Sequence, residues 1–336
     1  AQYHSVPLPH RWYDNEAAKT DVNTYVKWQR QIGTNLHLFT DLQYRHVDYS
    51  ITGFRNNPGL TVDETWNFLN PKAGVTYKKN DWTAYASYAL ANKEPNRDDF
   101  EAGTTEKPRR EQLHNVEAGV QRRELLPGLQ VGLNGYLMYY KDQLVLTGEI
   151  NDVGAYTRTN LPESFRLGTE VEARYYKPKW GFNYSLALSL NRAANYTGYY
   201  DDYDNGGQLV VNYGNTPLAF SPGLVQQATF DWRPRTNLEF SLLNKYVGKQ
   251  YLDNSGQEDR ALDAFLVNDL RAIYSLPFRG TLRQARLLLQ VNNIFNTMYE
   301  PNGYTFSYLY GNEFITENYY YPMAGTNWML GVSIRL

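Results

Sequence analysis

The side chains able to carry bond chemistry are few and scattered. The five histidines, His4, His10, His37, His46 and His114, lack the H-E-x-x-H spacing that sets two imidazoles on one helical face around a metal. Asp98/Asp99 and Asp201/Asp202 are adjacent carboxylates, but neighbours on a strand point to opposite faces, so adjacency does not make an acid–base pair. There is no cysteine, hence no thiolate nucleophile, disulfide or thiolate-ligated zinc. Proton transfer, nucleophilic attack and metal catalysis therefore have no set of residues to carry them. The expectation is a protein that is not an enzyme and needs no cofactor.

Binding chemistry is better represented. The chain has 30 tyrosines in 336 residues, and twelve of them gather in two stretches. Tyr199, Tyr200 and Tyr203 lie in Ala193–Gly223 beside Asp201, Asp202 and Asp204, and Tyr304, Tyr308, Tyr310 and Tyr319 lie in Thr297–Thr326. Tyrosine offers a rigid face with a polar tip at small entropic cost, which suits capture of a bulky, partly aromatic ligand. Arg97, Arg109 and Arg110, with Lys93 and Lys107, add positive charge from Lys93–Leu113. A mouth both basic and aromatic would favour an anionic ligand. These ten tyrosines and arginines are the candidate contacts. His4 and His10 form a pair without further motif, and solvated loop histidines are the simpler reading.

The elements that must position these residues are strands. With 33 Lys+Arg against 35 Asp+Glu the net charge is -2, which leaves no basic footprint for nucleic acid. The chain is 42 % hydrophobic with a mean hydropathy of -0.61, and it contains no apolar run of the roughly 18 residues a membrane helix needs. The hydrophobic period is two instead. Trp328, Leu330, Val332, Ile334 and Leu336 share one face, as do Trp180, Phe182, Tyr184, Leu186, Leu188 and Leu190. Thirteen such segments begin near Val22, Asn35, Thr65, Trp82, Asn115, Leu129, Phe165, Trp180, Gln226, Leu238, Phe265, Ala285 and Asn327. Most run about 9 to 14 residues, longer than the usual soluble strand and suited to a tilted membrane crossing.

Connections alternate between short turns, such as Lys78–Asp81 and Pro178–Lys179, and long loops, such as Lys93–Leu113, Gly148–Ser164 and Ala193–Gly223. That alternation is the pattern of an all-β, antiparallel up-and-down transmembrane barrel, turns at one rim and loops at the other. The aromatics fit its two girdles: Trp28, Trp82, Trp180 and Trp232 beside short turns, and Tyr44, Tyr88, Tyr139 and Tyr246 toward the loops. Charges on the inward parity, among them Arg166, Glu170, Glu172, Arg174, Asp231, Glu239 and Arg271, either line a transport path or pair with one another. Mutual pairing is the favoured reading. Thirteen is odd, whereas bacterial barrels use even numbers, so 1–336 is expected to be the C-terminal portion of a larger barrel. Ala1–His10 has neither the basic start nor the apolar core of a signal, as if it had been removed or the chain began partway through something larger.

Specific motifs carry a family resemblance. LLLQVNNIFNTMYEP at Leu287–Pro301, followed by an aromatic loop and the terminal strand NWMLGVSIRL, resembles the C-terminus of TonB-dependent outer-membrane receptors. That family usually ends in Phe or Trp, and this chain ends in Leu336. HRWYDNEAAKTDVNTY at His10–Tyr25, FLNPKAGVTY at Phe68–Tyr77, YASYALANKEPNRDDF at Tyr85–Phe100 and YVGKQYLDN at Tyr246–Asn254 look like the iron-complex receptors of Bacteroidetes.

The resemblance implies a barrel of about 22 strands around a plug, of which nine strands and the plug would lie upstream. It implies residence in outer-membrane lipid, energy from TonB through the missing N-terminal part, and a ferric siderophore as ligand, with a surface lipoprotein as a further partner. Uptake of cobalamin, haem or another bulky nutrient is the alternative within transport. A passive porin, and a soluble carbohydrate-binding β-protein using tyrosines as stacking platforms, are the alternatives outside it.

Overall fold

A period-two pattern dictates strands with one apolar face, and the molecule is built of little else. The computed structural model describes residues 15–54, 58–101, 107–150, 156–277 and 284–335. Its main sheet starts with β1 (Glu16–Ile32), β2 (Leu36–Thr52), β3 (Thr61–Lys79), β4 (Trp82–Lys93), β5 (Glu111–Leu126), β6 (Leu129–Ile150), β7 (Tyr156–Lys177) and β8 (Trp180–Asp202), each antiparallel to the next. Past β9 (Gln208–Pro217) the path goes on through β10 (Leu224–Arg235) and β11 (Leu238–Val247). The small ladder of β12 (Gln250–Tyr251) with β13 (Ala261–Leu262) stands apart. β14 (Phe265–Pro277) and β15 (Gln284–Asn292) follow, and after the hairpin of β16 (Asn302–Tyr310) and β17 (Glu313–Tyr321) the path ends at β18 (Asn327–Arg335). Thirteen strands lie on this path, and each overlaps one of the thirteen segments expected from the alternation.

The lengths differ from expectation. β6 and β7 have 22 residues and β8 has 23, against the expected 9 to 14 or so. At about 3.3 Å per residue and a tilt near 45°, roughly ten residues cross the hydrocarbon, so the excess must continue beyond it. Much of what reads as loop is therefore strand. Ala193–Gly223 is largely the β8–β9 hairpin and Thr297–Thr326 the β16–β17 hairpin. The sequence hides this because a hairpin outside lipid no longer needs an unbroken apolar face. The short turns stand as expected, with Gly33, Asn80 and Gly128 taking the left-handed backbone that tight reversals need. A further short turn that the sequence predicts, at Pro277–Arg283, lies mostly outside the described residues.

Register puts one parity of every crossing outward. Trp180 stacks on Trp232 at 5.9 Å and on Phe230 at 5.4 Å, and Trp232 on Phe240 at 5.6 Å, a continuous aromatic band beside the short turns. Toward the loops, Tyr44 donates to Asn67 (2.7 Å) and Tyr139 to Glu163 (2.7 Å), while the Tyr88 hydroxyl meets His114 Nδ1 (2.9 Å). Each ring thus faces lipid with its hydroxyl engaged by a polar neighbour, as a girdle residue should be.

The inward parity is polar and tied together, with large rings laid over glycines. Arg233 Nε donates to Glu239 (2.7 Å), Ser241 to Asp231 (2.6 Å) and Arg271 to Ser241 (3.1 Å). For Asp231, Glu239 and Arg271 this is the mutual pairing favoured above. Tyr85 of β4 lies across Gly119 of β5 and donates to Asn134 of β6 (2.9 Å), so one side chain spans three strands. Phe39 covers Gly74 in the same way. The apolar clusters sit outside the crossing region, one of Ile51, Phe54, Val62 and Phe100 and one of Val145, Leu161, Ala193, Tyr196 and Leu218. Among the described residues β1 and β18 do not pair with each other, so the wall is an open sheet in this chain.

A Cβ on Gly119 would lie 2.6 Å from the Tyr85 ring, whereas one on Gly132 meets nothing nearer than 4.0 Å. Gly119→Val should destabilise the wall by about 1–3 kcal/mol, read as a lower temperature for loss of heat-modifiable mobility on gels. Gly132→Ala should leave that temperature nearly unchanged.

Candidate functional site

The long loops of a barrel have no lipid to organise them and must be held by their own contacts. Here two hairpins and one irregular loop lock together. At the tips, the Asp204 carboxylate accepts from the backbone N–H of Gly311 (2.8 Å) and Asn312 (2.7 Å), and Tyr203 N–H donates to Leu309 C=O (3.0 Å). β16 adds briefly to β8 as a parallel neighbour at Tyr308 and Leu309.

Beneath the tips lies a buried cation. Arg260, 2 % exposed, donates to Asp253 Oδ2 (2.8 Å) and to the Tyr200 hydroxyl (3.0 Å). Its guanidinium lies 5.3 Å from the Tyr200 ring centre and 5.4 Å from that of Phe314, and these two rings meet edge-on at 4.9 Å. Tyr200 in turn donates to Tyr213 (2.9 Å). Arg260 and Asp253 belong to the loop after β11, Tyr200 and Tyr213 to the β8–β9 hairpin, and Phe314 to β17. One ion pair thus holds three segments. Burial pushes the Tyr200 hydroxyl well above its ordinary value, so it stays a neutral donor. Burial would discharge Arg260, but the Asp253 charge and hydrogen bond outweigh it and keep the guanidinium protonated.

The β16–β17 hairpin has two unlike faces because register sorts them. Gly303, Thr305 and Ser307 are buried. On the other face Tyr304 stacks on Tyr319 (4.8 Å), Phe306 on Tyr319 (6.0 Å) and Phe306 on Tyr308 (6.0 Å). Between the rings sits Glu317, accepting from Tyr308 through Oε1 (2.7 Å) and from Tyr319 through Oε2 (2.6 Å). Those two hydrogen bonds hold the Glu317 carboxyl below its ordinary value and push both hydroxyls above theirs. Tyr203 meets Tyr308 edge-on at 5.5 Å.

The ten candidates therefore divide. Tyr304, Tyr308 and Tyr319 share the open face, with Tyr203 at its end. Tyr310 (62 % exposed) is on the same strand parity, and Tyr199 (56 %) is exposed on β8. Tyr200 differs from the others: at 6 % exposure it is part of the clamp and not of the open face. The arginines belong to other segments. Arg97, in the helix α1 (Arg97–Glu101), lies over Phe54 (5.5 Å), and Arg109 donates to Asp142 from both Nε (3.0 Å) and a terminal nitrogen (2.8 Å). Lys93 pairs with Glu111 at 3.5 Å and Lys107 with Glu64. Arg110 is exposed. Of the five cations of Lys93–Leu113, Lys93, Lys107 and Arg109 are thus paired with carboxylates. Sequence reasoning missed Glu317, Phe314, Arg260 and Asp253, while Phe306 belongs to the aromatic stretch Thr297–Thr326 that it singles out. For Phe306 the signal is the alternation Tyr304, Phe306, Tyr308 and for Glu317 the alternation Glu317, Tyr319, Tyr321; for the clamp there is none. His4 and His10 lie outside the described residues.

Two outcomes follow from this geometry. Arg260→Met leaves Asp253 buried without its partner, at a cost of about 3–5 kcal/mol; protease added to intact cells should then cut near residues 249–263 while heat-modifiability of the barrel persists. Glu317→Gln removes the charge that raises Tyr308 and Tyr319, so an alkaline absorbance titration should show the variant ionising more tyrosine near pH 10 than the parent. The sign is opposite at acid pH. With the carboxyl depressed, its hydrogen bonds support the hairpin above about 4.5 and are lost as pH falls below.

Residues 3–294 match the family model described as TonB dependent receptor-like, beta-barrel. Among solved structures, the siderophore receptor PiuA from Acinetobacter baumannii superposes with a TM-score of 0.70 at 16 % identity, over 95 % of this chain and 43 % of that one. The FrpB iron transporter from Neisseria meningitidis gives 0.63 at 20 %, over 95 % and 46 %. The copper transporter OprC gives 0.67 at 17 %, over 94 % and 47 %. At these identities the likeness is one of fold, and the chain spans less than half the length of each of these structures. No curated protein sequence matches it significantly. The family's barrels are Gram-negative outer-membrane proteins, and its members are transport receptors and not enzymes. A thirteen-strand path of alternating, lipid-facing strands with long strands continuing into locked hairpins is in keeping with that match, and the chain belongs to the TonB-dependent receptors through its β-barrel.

Proposed function

We propose that this protein is an active-transport receptor that imports an iron complex, a ferric siderophore, with energy delivered by TonB. The observation that carries this is the pair of extracellular hairpins, held rigid by Asp204 and Arg260, which present stacked tyrosines to the outside of a polar-lined wall. Rigid aromatic faces lose little entropy on binding and suit a bulky chelate. The names of PiuA, a siderophore receptor, and FrpB, an iron transporter, point the same way.

In this reading the hairpins capture the complex and the wall guides it, with no bond made or broken by these residues. Residues 1–336 form the C-terminal portion of the barrel, and nine further strands and a plug complete it. Unpaired backbone groups at the β1 and β18 edges would cost several kcal/mol each in lipid, which supports additional strands there. The plug makes the contact with TonB, and a surface lipoprotein covers the mouth.

Uptake of cobalamin, haem or another bulky nutrient is the second reading; the likeness to OprC, a copper transporter, shows that the fold is shared with a protein named for cargo other than iron. Deleting the gene should abolish uptake of a radio-iron siderophore and slow growth under iron limitation, and a protonophore should abolish uptake in the parent. Normal iron-limited growth with loss of growth on another nutrient would establish the second reading instead. Uptake that survives the protonophore would rule out energy coupling.

A further inference from the structure

Charge on the two aromatic hairpins is of one sign. Residues 193–223 and 297–326 contain Asp201, Asp202, Asp204, Glu300, Glu313 and Glu317, and no lysine, arginine or histidine. Asp202 and Asp204 are occupied by backbone N–H groups of the tips. Glu317 is placed differently, in the middle of the ring ladder and flanked by hydroxyls on both oxygens. A carboxylate offers about four acceptor positions, so two hydrogen bonds leave it room to accept more.

The rings around it form a stacked, nearly parallel ladder. The interplanar angles are 8° for Tyr304 with Tyr319, 7° for Phe306 with Tyr319 and 21° for Phe306 with Tyr308. The negative faces of aromatic rings attract a cation, most strongly where water is partly excluded. Arg260 is close in the fold but does not supply that cation. It lies against Phe314, on the opposite face of the hairpin, and is neutralised by Asp253. The face therefore has π surface and a central anion, without a positive group of its own.

We propose that the face formed by Tyr304, Phe306, Tyr308 and Tyr319 binds a cationic ligand group, an ammonium-bearing arm of the imported complex, with Glu317 as its counter-ion. The inference rests on the iron-import reading for the identity of the complex, and only the charge of the ligand is added. It departs from the expectation of an anionic complex drawn from Lys93–Leu113, where Lys93, Lys107 and Arg109 are paired with carboxylates.

Two probe pairs test it on the complete receptor in outer-membrane vesicles. One is a linear ferric trihydroxamate with a terminal ammonium, against the same chelate N-acetylated. The other is iron-free, phenethylammonium against N-acetylphenethylamine, followed by saturation-transfer NMR. The ammonium member of each pair should bind about tenfold tighter. Glu317→Gln should erase the difference while leaving the acetylated members within about twofold, and Glu313→Gln should retain it.

Equal binding within the iron-free pair, no binding by either amine, or a preference that survives Glu317→Gln overturns the cation site. If both chelates bind equally, the cation site fails while iron import stands. If neither chelate binds but phenethylammonium keeps its preference, iron import fails and the cation site stands.

Discussion

Everything in this molecule depends on one requirement: a peptide group that enters lipid must find its hydrogen-bond partner on another strand. Long antiparallel ladders answer it, and once their register is set each side chain has only two destinations. One parity meets acyl chains and the other meets the lumen. The stacked Trp180, Trp232 and Phe240 on one side of the wall and the Arg233–Glu239–Asp231–Ser241 cluster on the other are consequences of the same ladder, one residue apart. Tyr85 reaching across Gly119 to Asn134 shows that the inward parity is also used to pin neighbouring strands.

Above the lipid the requirement changes. Water can satisfy the backbone, so strands that continue upward need contacts that hold them in place. The protein supplies small apolar clusters, backbone pairing between β16 and β8, and a buried ion pair. Arg260 suits the last role because its planar guanidinium can donate sideways to Asp253 and Tyr200 while its faces rest against aromatic rings. A rigid platform results, and its exposed chemistry is tyrosine and glutamate. Three cations of Lys93–Leu113, namely Lys93, Lys107 and Arg109, are held against Glu111, Glu64 and Asp142.

Legibility followed the lipid. Where strands cross it, alternation such as Trp328, Leu330, Val332 and Ile334 named the strands, their outward faces and both girdles. Where they leave it, the apolar face is interrupted, and the ends of β6, β7 and β8 were read as loop. The tyrosine-rich stretches were correctly singled out as stretches, yet Tyr200 and Tyr199 are adjacent and have opposite fates, one buried in the clamp and one exposed. The pairings of Lys93, Lys107 and Arg109 are not legible in Lys93–Leu113, since an ion pair between distant segments leaves no mark in either.

By itself, then, the sequence determined the architecture, because a local period of two and the alternation of short and long connections need no knowledge of distant residues. It also determined that the aromatic hairpins carry only negative charge. The tertiary structure alone decided which tyrosines are open, which carboxylate stands among them and which cation is spent. Those outcomes depend on the meeting of segments far apart in the chain, as when Arg260 reaches Tyr200 or Asp204 receives Gly311, and such contacts are selected by packing in three dimensions and not by any local pattern.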